Sequence, residues 1–253
     1  MYVANTNRYD NTIYNRCGQS GLVLPRISLG MWQNFGKNAD YDTMKDIILT
    51  AFDHGITYFD LANNYGPDPG QAEINFGKIF NENLKPYRDE IIIATKAGYE
   101  MWPGPYGGRG GSRKYLTASL DQSLKRMGID YVDIFYHHCL DPDTPLKETA
   151  LCMSDIVRQG KSLYIGMSNY DGKKMHRMYH KCDDYNVPFV VNQNRYNILD
   201  RQVEYNSLKK ECFSKHKGLV AFSPLAQGRL SDKFKNGIPE SSRLYGKPDY
   251  CKS

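Results

Sequence analysis

The sequence predicts an α/β fold in which parallel strands alternate with helices. Seven short runs rich in β-branched or aromatic residues recur along the chain. Runs of this kind suit parallel strands that are buried on both faces. The stretches between them carry the apolar spacing of helices, as with Leu116, Leu120, Leu124 and Met127. This alternation predicts repeated strand–helix units.

The predicted strands follow one another along the chain after a short hairpin. Two extended runs flank a Gly-containing turn within residues 12–27, and they predict a hairpin that plugs the lower end of a barrel. Each of the later runs is brief and mostly apolar. These runs occupy residues 25–30, 56–62, 91–97, 131–138, 163–168, 189–193 and 218–224.

Seven strand–helix units fit either most of a (β/α)8 barrel or a doubly wound open sheet. A doubly wound nucleotide fold would begin with a G-x-G-x-x-G turn, whereas the first strand run here continues only as SLGMW. The Gly-rich residues 103–111 open no such turn. In a barrel, functional groups lie at the C-terminal ends of several strands. A TIM-type barrel is therefore favoured by the polar residues at those ends, which are Asp60, Lys96, His138, Asn169 and Gln193.

Length and charge restrict the possible functions. With 253 residues and no linker-like stretch, residues 1–253 are predicted to form one domain. The net charge is only +5, with basic residues interspersed among acidic ones, which argues against a nucleic-acid or membrane partner. The polar N-terminus lacks the apolar core of a signal peptide, and no run reaches membrane-spanning length.

The cysteines indicate a reducing compartment. They are scattered without C-x-x-C spacing, which argues against a zinc ribbon, a thioredoxin-like motif or a secreted scaffold held by disulfides. A cytoplasmic location is therefore predicted. The six residues are Cys17, Cys139, Cys152, Cys182, Cys212 and Cys251.

Four residue types that can together move a hydride lie at the ends of three strand runs. A tyrosine protonates a carbonyl only if its phenol becomes more acidic, because an unperturbed phenol has a pKa of about 10. A lysine ammonium favours phenolate, a carboxylate can hold that ammonium, and an imidazole can orient the carbonyl. Asp60, Tyr65, Lys96 and His138 therefore predict a reductase site. No metal is expected there, because His137 and His138 are neighbours on a strand and point to opposite faces.

These residues and three further motifs resemble those of the aldo-keto reductases. Asp60 and Tyr65 are five positions apart, and His138 follows Asp130 by eight, as in that family, whereas His137 fails the spacing. The combination is most similar to the branch that holds the glyceraldehyde 3-phosphate reductases and the potassium-channel β subunits. The further motifs are GKSLYIGMSNY at 160–170, NQNRYN at 192–197 and FSPLAQG at 222–228.

The resemblance implies an NADPH-dependent reductase of a small aldehyde, such as a phosphorylated triose. Tyr65 would be the acid, Lys96 and Asp60 would lower its pKa, and His138 would orient the carbonyl. Substrate contacts are expected from Tyr65, His138 and, in the loop after the third strand, Trp102, Arg109 and Arg113. The implied cofactor residues are Trp32, Asp60, Ser168, Asn169, Gln193, Ser223, Leu225, Gln227, Gly228, Lys233 and Arg243.

Several of these residues have an ordinary structural alternative. Ser168 and Asn169 suit a helix start, where capping and ligand binding are compatible. Packing alone would also explain Trp32. The alternative for Lys233 and Arg243 is that they belong to an ordinary solvated tail. The loop after the third strand suits a mobile surface segment.

The chain departs from the family pattern after the seventh strand run. Residues 229–253 are polar and interrupted by Pro and Gly, so the eighth strand and final helices of the barrel are expected to be missing. The first and seventh strands would then keep unpaired edges. Two other functions stay open, a nucleotide-binding regulatory subunit resembling the channel β proteins and an inactive fragment. A homo-oligomer is also compatible with the sequence.

Overall fold

A computed structural model describes residues 2–240, 242 and 245. An N-terminal hairpin contains β1 (Tyr14–Arg16) and β2 (Val23–Pro25), which pair antiparallel. All seven strands of the main sheet are parallel and lie in chain order. They are β3 (Leu29–Gly30), β4 (Tyr58–Asp60), β5 (Ile92–Ala97), β6 (Val132–His137), β7 (Ser162–Ser168), β8 (Phe189–Arg195) and β9 (Gly218–Phe222).

The strand order distinguishes the predicted barrel from a doubly wound sheet. A doubly wound sheet reverses its strand order at a switch point, whereas this sheet runs from β3 to β9 without reversal. It curves into a nearly closed barrel surrounded by helices. The predicted barrel class is therefore confirmed.

The helices begin where the sequence supplies caps. Asp40, Ser112 and Asp171 each accept a hydrogen bond from the backbone N–H three residues later, which satisfies one free donor of the first turn. The helices are α1 (Tyr41–Asp53), α2 (Gln71–Ile79), α3 (Arg113–Met127), α4 (Leu146–Arg158), α5 (Gly172–Asp184), α6 (Gln202–Tyr205) and α7 (Leu208–Ser214). A π-helical turn (Phe80–Leu84) and 3-10 turns (Lys85–Glu90, Ala226–Gly228 and Asp232–Phe234) complete the order.

The two faces of the strands belong to two apolar clusters, as the two-residue period of a strand requires. One face packs against the helices, and Phe59, Ile93 and Phe135 lie there. The opposite face includes Tyr58, Ala94, Ile134 and Tyr136, and the hairpin covers it. That cover is made by Cys17, Leu22 and Leu24. The predicted hairpin is thus confirmed.

The first and last strands of the sheet are its weakest. Of the predicted run 25–30, only Leu29 and Gly30 pair with β4, because Pro25 belongs to the hairpin and Ile27 is exposed. The predicted start of this strand at residue 25 was therefore wrong. Within the described residues, β3 and β9 each have one strand neighbour, as expected for unpaired edges. Strand β9 is only partly buried, whereas β6 is buried throughout. None of the described helices is long and apolar enough to span a bilayer.

Candidate active site

An ion pair between neighbouring strands forms the centre of the site. Asp60 ends β4, and Lys96 lies near the end of β5, which pairs with it. The Lys96 ammonium donates to Asp60 Oδ2 at 2.5 Å and to the Leu61 carbonyl oxygen at 2.7 Å. Its third bond goes to the Tyr65 hydroxyl at 3.2 Å. All three donor positions of Lys96 are therefore used, two to hold it and one to reach the phenol.

The second carboxylate oxygen of Asp60 connects the ion pair to β8, four strands away in the sheet. Gln193 on β8 donates its amide to Asp60 Oδ1 at 2.9 Å, and the Tyr58 hydroxyl lies 3.4 Å from the same oxygen. Tyr58 also shares a 2.8 Å hydrogen bond with Tyr136. Both carboxylate oxygens are thus satisfied in a buried setting, which fixes the orientation of the ion pair.

Burial and neighbouring charges together shift the pKa values of Lys96 and Tyr65. Although burial lowers the pKa of Lys96, the interactions with Asp60 and Tyr65 together hold that pKa above its usual value. Burial raises the pKa of Tyr65, and the Lys96 ammonium lowers it only in part. The Asp60 carboxylate raises the Tyr65 pKa further, so the expectation that Asp60 lowers it was wrong. The Tyr65 pKa thus lies above its usual value, so the prediction that its neighbours make the phenol more acidic is not met, and the phenol keeps its proton near neutral pH.

The two histidines after β6 separate as expected. His138 stays uncharged at neutral pH, because burial and the Lys96 charge hold its pKa well below 6.5. Its ring is edge-on to Tyr65 at 5.8 Å between centroids, and its buried Nδ1 has no partner among the described residues. His137 instead shares a 2.7 Å hydrogen bond with the Tyr170 hydroxyl. Only His138 therefore faces the phenol.

The start of the loop after β7 is held against β6. Asn169 has a positive φ of 59°, an uncommon conformation that asparagine tolerates better than most residues. Its amide donates to the His138 carbonyl oxygen at 2.9 Å, and Ser168 beside it is buried. The structure therefore brings Ser168, Asn169 and Gln193 to the same strand ends as the ion pair.

A second part of the site follows β9. Ser223, Ala226, Gln227 and Gly228 all have positive φ, and the turn is closed by hydrogen bonds from the Ala226 and Gly228 N–H groups to the Ser223 and Leu225 carbonyl oxygens. The buried Gln227 Oε1 has no partner among the described residues. A cavity of about 540 Å³ opens here, and its lining includes Arg195, Ser223, Gln227 and Arg229.

The remaining predicted cofactor residues are exposed at the surface or lie outside the described residues. Leu225 is 54% exposed beside the positive-φ turn. Lys233 is exposed in the 3-10 turn Asp232–Phe234, and Arg243 lies outside the described residues. Trp32 is 43% exposed, with its ring centroid 6.5 Å from that of Tyr65. Trp32 therefore lies beside the Tyr65 ring.

Of the predicted substrate residues in the loop after β5, Arg109 lies near His138, whereas Trp102 and Arg113 have partners elsewhere. Arg109 donates from Nε to Cys139 Sγ at 3.4 Å, directly beside His138 in the chain. Trp102 packs against Tyr115 at 5.4 Å between centroids, on the core side of its loop. Arg113 begins α3 and pairs with Asp155 on α4. The expectation of a substrate contact from Arg113 is therefore not met, because a carboxylate on the helical layer holds its guanidinium.

Sequence reasoning missed Tyr99. Its ring is edge-on to His138 at 4.7 Å, and its hydroxyl lies 3.5 Å from the Asn169 amide nitrogen. The Arg109 guanidinium lies 5.7 Å from the centroid of the same ring. The available signal was position, since Tyr99 follows the end of β5 by two residues. No group of three or more His, Cys, Asp or Glu side chains within the described part could hold a metal ion.

Comparisons with known proteins identify the family of this chain. The chain is 51% identical over 245 residues to "L-glyceraldehyde 3-phosphate reductase" of Escherichia coli (strain K12), covering 97% of this chain and 70% of that protein. It is 35% identical to "Probable voltage-gated potassium channel subunit beta" of Arabidopsis thaliana, covering 91% and 70%. A crystal structure of the thermostable aldo-keto reductase Tm1743 with the inhibitor epalrestat matches with a TM-score of 0.74 and 33% identity, covering 88% and 77%. Residues 26–244 match the model of the aldo/keto reductase family, to which this chain therefore belongs.

Proposed function

We propose that this protein reduces a small aldehyde to its alcohol with NADPH. The observation that carries the proposal is the hydrogen-bonded series from Asp60 through Lys96 to Tyr65, with neutral His138 facing the phenol. The raised pKa of Tyr65 and the lowered pKa of His138 leave a protonated phenol beside a neutral imidazole, which suits proton donation to a carbonyl. Membership of an oxidoreductase family supports the same conclusion.

The chain's own residues would supply the proton and the positioning. Tyr65 would donate its hydroxyl proton to the carbonyl oxygen as that oxygen gains negative charge, and the Lys96 ammonium would stabilise the phenolate left behind. His138, being uncharged, would hydrogen-bond the same oxygen without competing as an acid. When bound, the nicotinamide supplies the hydride that adds to the carbonyl carbon.

The residues present fit a phosphate-bearing nucleotide. In the cavity after β9, the Arg195 guanidinium would attract phosphate oxygens, and the buried Gln227 Oε1, which lacks a partner among the described residues, would accept a hydrogen bond from a nucleotide hydroxyl. Ser168, Asn169 and Gln193 would hold the nicotinamide end, with Trp32 beside Tyr65. Lys233 and Arg243, the latter outside the described residues, would provide cations for the pyrophosphate, since guanidinium and ammonium groups bind phosphate oxygens.

A short phosphorylated aldehyde is the proposed substrate. Arg109 is exposed, and its Nε contact with Cys139 places it next to the His138 segment. A guanidinium binds phosphate oxygens strongly, so Arg109 would hold the phosphate while the aldehyde points to Tyr65. The Escherichia coli relative named as a glyceraldehyde 3-phosphate reductase supports this choice. The relatives named as channel β subunits support a regulatory nucleotide-binding role as the second candidate.

The first experiment is a titration with NADPH that follows intrinsic fluorescence and the melting temperature. Saturable quenching with a higher melting temperature is expected, since a ligand that binds only the folded state stabilises it. NADPH oxidation would then be measured with glyceraldehyde 3-phosphate and with unphosphorylated glyceraldehyde. Binding without oxidation of either aldehyde would favour the regulatory role, and a folded protein without binding would overturn the reductase proposal.

Two variants test the assigned roles. Tyr65→Phe is expected to lower kcat by roughly 10²–10⁴-fold while leaving NADPH affinity nearly unchanged, since it removes only the proton donor. Arg109→Gln is expected to raise KM for the phosphorylated aldehyde and leave the unphosphorylated one unaffected. Arg113→Gln is the matched control, because its guanidinium pairs with Asp155. An equal change for both aldehydes in the Arg109 variant would exclude a phosphate contact.

A further inference from the structure

Two histidines on the exposed surface of α5 face each other outside the candidate active site. His176 and His180 are four residues apart, which places them on one side of the helix one turn apart. Their Nε2 atoms share a hydrogen bond of 3.2 Å, which a bound metal ion would replace, and both side chains are exposed. The proposed reduction uses neither of them.

A carboxylate on the neighbouring helix sets the orientation of one ring. The Oε2 atom of Glu211, on α7, lies 3.1 Å from Nδ1 of His176. An ionised carboxylate can only accept, so Nδ1 of His176 carries the proton. The lone pair of a neutral His176 is then on Nε2, the atom that faces His180. This is the carboxylate–histidine arrangement that commonly orients metal-binding imidazoles.

The spacing of the two nitrogens suits a shared metal ion. With metal–nitrogen bonds of about 2.0–2.1 Å, two ligands are separated by about 2.9 Å at a right angle and about 3.4 Å at the tetrahedral angle. The observed 3.2 Å lies between these limits. Imidazole nitrogen is a preferred ligand of Zn²⁺, Cu²⁺ and Ni²⁺ but not of Mg²⁺ or Ca²⁺.

We propose that His176 and His180 form a two-histidine site for a late first-row divalent transition metal ion, with Glu211 as the positioning residue. Water would complete the coordination shell, because the side chains are open to solvent. The bound ion would bridge one turn of α5. The site would therefore stabilise the helix and take no part in hydride transfer.

The test is calorimetric titration of the purified chain, without an affinity tag, with Zn²⁺ and separately with Ni²⁺. One ion per chain is expected, and each of His176→Ala and His180→Ala should weaken binding at least tenfold. Glu211→Gln should weaken it about 10–100-fold, as expected when the partner of a metal-binding histidine is lost. His54→Ala is the matched control, because His54 is an exposed histidine at the end of α1.

The variants also separate metal binding from folding. Circular dichroism should show the same helix content in all four variants, since the replaced side chains lie at the surface or between two helices. The melting temperature of the unmodified chain should rise with Zn²⁺, and that rise should be absent in His176→Ala. Undiminished binding by either single alanine variant of the pair, or an equal loss in His54→Ala, would overturn the proposal.

Discussion

At the scale of single residues, the most constrained pair is Asp60 and Lys96. Lys96 is fully buried and Asp60 nearly so, and Asp60 is the carboxylate that pairs with the ammonium. Replacing Asp60 with Asn would leave a buried positive charge without its partner. Removing one member of a buried ion pair typically costs about 3–5 kcal/mol. We expect the free energy of unfolding of Asp60→Asn, measured by urea denaturation, to fall by that amount.

A matched control exists on the surface. Asp155→Asn removes the partner of Arg113, and both side chains of that pair are more than a third exposed. Exposed pairs contribute less than about 1 kcal/mol. If the two variants lose the same stability, the Asp60–Lys96 pair is not the buried, fixed unit described above.

The buried histidines make stability depend on pH. Burial lowers the pKa of His137 to about 4, and that of His138 lies well below 6.5. The unfolded chain therefore binds protons on both residues below pH 6.5 while the folded chain does not. Stability should fall as the pH drops from 6.5 toward 4, by about 1.4 kcal/mol per pH unit for each histidine.

Urea denaturation at several pH values measures this slope. The His137→Gln variant should show about half of this slope, because only one of the two buried histidines is then left. Constant stability of the unmodified protein between pH 6.5 and 4 would contradict the buried, neutral state of both residues.

At the scale of elements, the contact between α2 and α3 depends on Gly77. A Cβ at this position would lie 2.6 Å from the Met127 Cα and carbonyl oxygen, both backbone atoms that cannot rotate away. Helix propensity alone predicts that Gly77→Ala stabilises α2 by up to about 1 kcal/mol. We expect the close contact to dominate, with a loss of about 1–3 kcal/mol in the free energy of unfolding.

Gly108→Ala provides the comparison for that measurement. A Cβ there would meet no atom within 4 Å, so its effect should stay within about 0.5 kcal/mol. A stabilised Gly77→Ala variant would show that the two helices can separate without loss, and that propensity decides at this contact.

At the scale of the whole molecule, the reactivity of the buried thiols can be used to follow global unfolding. Cys17, Cys139, Cys152, Cys182 and Cys212 are all buried as free cysteines, and burial raises the thiol pKa of each. Because they are distributed from the hairpin to α7, no single local opening exposes all five. We expect an alkylating reagent to modify them only as the protein unfolds, which peptide mass spectrometry can follow.

In urea above the unfolding midpoint, the same five residues should react at once. Rapid modification of Cys139 and Cys212 in the native protein would contradict their burial after β6 and on α7. Fast reaction of Cys212 alone would indicate local opening of α7 beside the partly buried β9.

The sequence by itself determined the number and order of the strands, the hairpin and the residues at the strand ends. These features depend on local periodicity and on short spacings, such as the five residues from Asp60 to Tyr65, which the chain carries directly. Even the separation of His137 from His138 follows from the two-residue period of β6.

Only the tertiary structure decided which side chains meet and in which charge state. Gln193 reaches Asp60 across 133 positions of sequence, and Arg113 is held by Asp155 instead of facing the site. The raised pKa of Tyr65 likewise depends on burial, which no spacing between residues encodes. Such contacts depend on strand register and on packing between distant elements, so they are properties of the assembled barrel and not of any one segment.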